Sequence, residues 1–537
     1  MRARTGVATG WIGTAAAALC AAGAIVATTA SGATAANAAA ARTGDRPFRL
    51  IPGQLLVSGS DYIPDRDLVA GQTVLPPGCV TGCVTATASG AYPQAFNNDV
   101  VDGSFGITSP IFLEQVTPSG HPLSRQWVPA SELVTSFPSK SELALTLSPD
   151  GKSVSFMGYV ARPDELDVSN SNTPGVVDPT NPVPGTDYRA VATLFGDGRM
   201  RFTETNAYSG NNGRAAVLAN GLYYTAGNAG NGSNPQPNGV ILGAGAQLIT
   251  PSSQPESAQT PGQPTPAGSF NIAQLGDKPD KIGKDDNFRG LALHNNVLYY
   301  TKGSGGNGVN TVYFLDTTGK ACPNGTGLPV PGAALPTAGL SYNPATLQTS
   351  GLPSNMCILK GFPTALKSTT SFPFGMWFAN ADTLYVADEG NGSNTFANGT
   401  YTDAASSTTA GLQKWVFDSA AGAWQLAYTL QSGLDLGQPY QVPGYPPGVN
   451  SATSLPWAPA TDGLRTLTGR VNRDGTVTIW AVTSTVSGGG DQGADPNKLV
   501  SVTDKLSSAA PSGASFRTVQ GASFGQVLRG VAFAPAR

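Results

Sequence analysis

The chain is short of ionisable residues: Asp, Glu, Lys and Arg make up 12% of 537 residues, and there are only two histidines, His121 and His294. So little histidine argues against a Ser-His-Asp triad, and no Gly-x-Ser-x-Gly elbow leads into a helix. It argues equally against zinc, whose sites draw on clustered Cys and His. Lys and Arg total 31 against 34 Asp and Glu. That balance gives no electrostatic case for nucleic-acid binding. No Gly-Lys-Ser/Thr follows any of the glycine-rich loops, which excludes a phosphate-binding P-loop. Beyond residue 40 no run is long and apolar enough to span a bilayer.

The first forty residues read differently from the rest. Arg2 and Arg4 precede an Ala-rich apolar run, Trp11 to Thr29, and Ala-x-Ala sites follow at Ala33-Thr34-Ala35, Ala36-Asn37-Ala38 and Ala38-Ala39-Ala40. This order is that of a secretory signal peptide. A membrane anchor is the competing reading, and the Ala, Gly and Thr content makes the run weakly hydrophobic for a permanent span. Leu19 before Cys20 speaks against lipoprotein cleavage. Loss of residues 1–40 would move the formal charge from 31 − 34 = −3 to 29 − 34 = −5. The expected product is exported to the extracellular space, monomeric, and without a membrane span or a nucleic-acid partner. Four cysteines then remain in an oxidising compartment. Cys79 and Cys83 share one loop and are expected to pair, as are Cys322 and Cys357.

What is abundant is glycine (67) and proline (42), the composition of a loop-rich all-β protein. One unit recurs. Arg289-Gly290-Leu291-Ala292-Leu293-His294 is followed by the turn Asn295-Asn296 and by Val297-Leu298-Tyr299-Tyr300-Thr301-Lys302; a Gly/Asn-rich loop then leads to Thr311 through Asp316. The pattern predicts three antiparallel strands. It returns from Arg214 through Tyr224 and from Phe374 through Asp388. A recurring sheet unit predicts an all-β, six-bladed β-propeller, or seven blades if Lys320 to Ser371 hides one. Strands at Gln54–Ser58, Pro110–Val116 and Arg125–Val128 leave one blade short of a strand. Arg529–Ala534 at the far end supplies it, so the N-terminal strands pair with the C-terminal strand and close the ring. One propeller domain is expected over residues 41–537.

Propeller strand order puts the loops between blades, and those joining second to third strands, on one face, called the top. Arg214, Arg289, Arg465 and Arg529 recur there at the starts of inner strands. Convergent guanidiniums bind carboxylate, phosphate or sulfate, although recurrence also suits bracing of neighbouring blades through backbone carbonyls. Tyr208 and Lys302 join them as candidate ligand contacts. Acids share that face: Asp285, Asp286, Asp388, Glu389 and Asp491 are candidates for general acid and base work, with Asp99, Asp102 and Asp495 nearby. Asp and Asn in turns also cap backbone amides. Tyr440, Tyr445 and Trp457, among prolines in the loop from Ser432 to Asp462, could wall a sugar site or pack on one another.

The repeat Arg289-Gly290-Leu291-Ala292…Leu298-Tyr299-Tyr300, echoed by Phe374-Gly375-Met376…Leu384-Tyr385-Val386-Ala387-Asp388, resembles the NHL and gluconolactonase-like group of six-bladed propellers. That resemblance implies a metal in the central tunnel held by Glu, Asn and Asp from separate blades; here Glu142, Asn212, Asn287 and Asp462 stand at the matching strand entrances. Ca²⁺ is the cation such oxygen ligands suit. The functional expectation is a secreted propeller that binds a glycan or acidic small molecule in its top-face pocket, acting as a hydrolase or lyase. The alternative is a binding or scaffold propeller without chemistry.

Overall fold

Among the described residues, six sheets of four or five strands form the framework. The computed structural model describes residues 48–62, 69, 71–76, 78–81, 83–86, 106–177, 183, 185–228, 245–255, 269–270, 272, 287–303, 308–322, 324–338, 355–451, 453–489, 493–511 and 513–537. All of these fall within the compact unit Pro47–Arg537. The expected signal segment, Asp99, Asp102, Asp285, Asp286 and Asp491 lie outside the described residues.

Blade one is built from both ends of the chain. Gln526–Phe533 is its inner strand and pairs with Leu55–Asp61, which pairs with Ile111–Val116 and then Pro122–Trp127. The register runs Leu55 to Phe533 and Val57 to Val531, so the ring closes as the sequence predicts. Inner strands of the other blades are Thr146–Leu147, Gly213–Ala219, Leu291–His294, Pro373–Asn380 and Ala460–Val471. Each touches the inner strand of the next blade, and the last touches that of blade one.

Second strands sit between neighbouring sheets and are buried on both faces. Val297–Lys302 and Thr383–Asp388 carry no exposed residue, which is why they read as apolar runs rather than alternating ones. The turn before Val297–Lys302 is Asn295 and Asn296 (φ 50° and 59°), and that before Leu222–Gly227 is Asn220 and Gly221 (φ 51° and 78°). Both turns place two residues in the left-handed region, the requirement of a two-residue hairpin loop.

Several boundaries differ from expectation. Only Thr146–Leu147 of the alternating run Glu142-Leu143-Ala144-Leu145-Thr146-Leu147 pairs, because Leu143 adopts φ 63° and turns the chain out of the sheet. Blade three gains a fourth strand, Ser269–Phe270, beyond the polar stretch that hid it. The segment from Lys320 to Ser371 adds Asn355–Leu359 as the fourth strand of blade four and Thr326–Gly327 as a fifth, parallel to it. Among the described residues it builds no seventh blade. Cys357 lies inside the fourth strand and is bridged to Cys322; Cys79 is bridged to Cys83.

The glycines that follow Arg289, Phe374 and Arg529 have a packing reason. A Cβ on Gly290 would lie 2.2 Å from the Phe374 carbonyl oxygen, one on Gly375 2.5 Å from that of Arg465, and one on Gly530 2.4 Å from that of Leu143. Phe374 and Arg465 belong to the next inner strands, and Leu143 lies just ahead of one. Glycine lets adjacent blades approach at the mouth of the tunnel and thereby draws the flanking arginines together. Gly375→Ala should therefore cost about 1–3 kcal/mol through overpacking. That would show as a lower urea midpoint at an unchanged slope; an unaltered midpoint would contradict the close approach.

Candidate functional site

The top of the tunnel is crossed by residues 135–142, Thr-Ser-Phe-Pro-Ser-Lys-Ser-Glu, which lead into blade two. This strap reaches every other blade. The Phe137 carbonyl accepts from Arg529 of blade one, and Ser139 Oγ lies 3.4 Å from Asn212 Nδ2 of blade three. Ser141 Oγ accepts from Arg289 of blade four, and Lys140 Nζ is 3.1 Å from Glu389 Oε2 of blade five. Gly493 of blade six packs on the Pro138 carbonyl, where a Cβ would lie 1.6 Å from the oxygen.

On one side of the strap, Glu142 is fully engaged. It accepts from the hydroxyls of Thr135 and Tyr159, from the Ser136 N–H at 3.0 Å and from Asn212 Nδ2 at 3.3 Å. Asn212 and Asn287 turn their oxygens to Arg214, whose guanidinium also donates to the Phe288 carbonyl at 2.6 Å. Arg214 thus occupies the amide oxygens that the family resemblance assigns to a metal, and Asp462 stands apart from this trio beside blade five. Burial and the neighbouring Arg289 push Arg214 well below the ordinary arginine range, though a guanidinium remains cationic.

On the other side, Glu389 Oε2 lies 3.1 Å from Lys140 Nζ and 3.5 Å from Arg465 Nε. Burial raises its pKa, but Lys140, Arg289 and Arg465 outweigh burial and hold the carboxyl below its ordinary range. Lys140 itself is lowered, by burial first and by the two arginines, against the pull of Glu389. Asp388 behaves oppositely: burial pushes it up to about 7, against the N–H groups of Phe372 and Gly390. Asp462 is likewise pushed up to about 7 by burial, opposed by the Gly392 N–H. Asp495, at about 7 for the same reason, accepts from Ser487 at 2.8 Å and Tyr445 at 3.1 Å.

No protein-family model matches the sequence, and no curated protein matches it. Among solved structures the chain is similar to an ACO/RPE65 chimera, with 8% identity over 80% of this chain and 60% of that one and a TM-score of 0.21. Similarity to cobalt-substituted Synechocystis ACO covers 80% and 59% at 10% identity and a TM-score of 0.20. For Drosophila Semaphorin 1a, extracellular domains 1-2, the figures are 77% and 85% at 11% identity and a TM-score of 0.27. The chain spans only about three-fifths of the first two. Likenesses this distant assign no chemistry. They do not tie the chain to the NHL and gluconolactonase-like group; the six-bladed arrangement is what stands.

Other sequence candidates fall outside this cluster. The Tyr208 hydroxyl bonds Thr225 Oγ1 at 2.7 Å and the Gly245 carbonyl at 3.1 Å in the core between blades. Lys302 Nζ lies 3.3 Å from Asn310 Oδ1, buried at the end of its strand. Tyr440, Tyr445 and Trp457 pack in a cluster with Tyr62, Phe137 and Phe524, so they form no open wall. His294 stacks on Phe378 at 4.4 Å, and His121 is exposed in a hairpin turn. Lys140, Ser139 and Ser141 escaped the sequence reading because they belong to no repeat. The only signal was a Ser-rich polar run just ahead of an inner strand.

No helix among the described residues is long and apolar enough to cross a membrane. Asp495 has a folded pKa near 7 against an ordinary 3.8. Folding therefore retains a proton that the unfolded chain releases, and this group's contribution to stability falls as pH rises from about 4 to 7, then stays level. Asp495→Asn should raise the melting temperature at pH 8 relative to wild type and leave it little changed at pH 4. An equal change at both pH values would contradict the raised pKa.

Proposed function

We propose that the chain is an exported propeller that binds an acidic glycan or other anionic small molecule at its tunnel mouth. The observation that carries this reading is charge imbalance. Lys140, Arg214, Arg289 and Arg465 share the mouth with two glutamates, Glu142 and Glu389, while burial raises Asp462 to about 7, so that it is only partly ionised at neutral pH. Between blades five and six a buried charge is matched. Lys414 lies 3.3 Å from Asp504, both side chains fully buried, and Tyr385 and Tyr428 complete the acid's hydrogen bonds. Surplus buried positive charge is costly unless an anion neutralises it. Lys140, with a quarter of its side chain exposed, is the most accessible cation and marks the way in.

The same mouth pairs a carboxyl held below its ordinary range, Glu389, with two raised to about 7, Asp388 and Asp462. Environments that push acids apart in this way are what general acid and base roles require, and they support hydrolysis or elimination as the chemistry. The binding-only alternative draws on Arg214 and Arg529, which donate to the backbone carbonyls of Phe288 and Phe137 as braces do.

A ligand that binds only the folded state raises the melting temperature by mass action. Galacturonate, glucuronate, citrate and sulfate should raise it, neutral galactose and glucose should not, and Arg465→Ala should abolish the shift. Equal shifts from neutral and acidic sugars, or none from any acid, would overturn the anionic reading. New reducing ends or unsaturated uronate released from an acidic oligosaccharide would favour the enzyme; saturable binding without turnover would favour the scaffold.

A further inference from the structure

The acids of the mouth differ in what their oxygens touch. Glu142 is saturated by four donors. Asp388 accepts the Phe372 N–H at 2.8 Å and Gln413 Nε2 at 3.2 Å on Oδ2, and the Gly390 N–H at 3.0 Å on Oδ1. Asp462 is different. Only 2% of the residue is exposed, and its Oδ2 accepts the Gly392 N–H at 2.8 Å. Its Oδ1 is buried and, among the described residues, meets no donor.

The surroundings explain why no protein cation takes that oxygen. Gly390 packs against the carboxyl so closely that a Cβ would lie 2.4 Å from Oδ2. The charged groups facing Asp462 are Glu389 and Asp388 from blade five, Lys140 from the strap and Arg465 from its own strand. Both Lys140 and Arg465 are drawn instead to Glu389. A buried acceptor left without a donor loses its hydration with nothing in return. A second anionic oxygen from a ligand would meet repulsion there, because Glu389 and Asp388 already crowd the spot. A hydroxyl suits it, since it donates to a carboxyl oxygen whether the acid is ionised or neutral.

Resting on the mouth being an anion site, we propose that its ligand is a hydroxylated carboxylate, an acidic sugar or hydroxy acid. Its anionic group lies on Lys140, Arg289 and Arg465, and an adjacent hydroxyl donates to Asp462 Oδ1. Asp462 is then the specificity-determining residue, which separates acidic sugars from simple anions.

Malate and succinate test this, because they share charge and chain length and differ by one hydroxyl. Titration calorimetry on the wild-type protein should show malate binding about tenfold more tightly, the ratio expected of one hydrogen bond to a buried acid. In Asp462→Ala the ratio should fall to near one while succinate affinity is retained. Equal affinity of the wild type for the two acids overturns the hydroxyl assignment and leaves the anion site standing. Binding of neither acid overturns the anion site itself. A malate preference that persists in Asp462→Ala removes Asp462 from the role. The wild-type ratio decides the first two outcomes even if the variant fails to fold.

Discussion

Everything at the top of this propeller depends on the strap of residues 135–142. A ring of blades leaves an open tunnel, and the side chains at its mouth would face one another across water. Here a single segment crosses that mouth and gives each blade a partner: Arg529, Asn212, Arg289, Glu389 and Gly493 all meet it. The strap also contributes Lys140, the cation nearest to solvent, and Glu142, the acid that anchors Tyr159 and Asn212. Blade geometry and site chemistry are therefore one problem. The glycines that let inner strands approach also fix the spacing of the arginines.

Two halves of the mouth do different work. Around Glu142 both carboxylate oxygens are engaged, and Arg214 bridges Asn212 and Asn287. Around Glu389 the arrangement is looser: two cations share one carboxylate oxygen, and among the described residues an adjacent acid keeps an oxygen without a donor. Networks that are complete specify structure, and incomplete ones mark where a ligand can complete them. The contrast with Lys414 and Asp504, paired one to one between blades five and six, shows that the chain can balance a buried charge when structure alone is at stake.

Much of the fold was legible because propeller repeats impose local rules. Arg289-Gly290 and Asn295-Asn296 each signal a fixed backbone requirement, and the buried second strands announce themselves as apolar runs. The closing strand at Arg529–Ala534 was readable because blade one was otherwise a strand short. The site was only half legible. Arginines at strand entrances could be counted, but whether a guanidinium faces a ligand or a carbonyl depends on contacts between distant blades. Arg214 and Arg465 both lie on inner strands and have different partners. Lys140 could not be found by repeat logic, since the strap occurs once. For Tyr445 and Trp457 residue type left a sugar wall and mutual packing both open, and the structure shows the packing.

The account's central claim is that an anion sits among Lys140, Arg289 and Arg465. Crystals soaked in selenate and measured at the selenium edge would test it most directly. The account predicts an anomalous peak at the tunnel mouth within hydrogen-bond reach of Lys140 Nζ and of at least one of the two arginines. A mouth without such a peak, while selenate binds elsewhere on the surface, would contradict it.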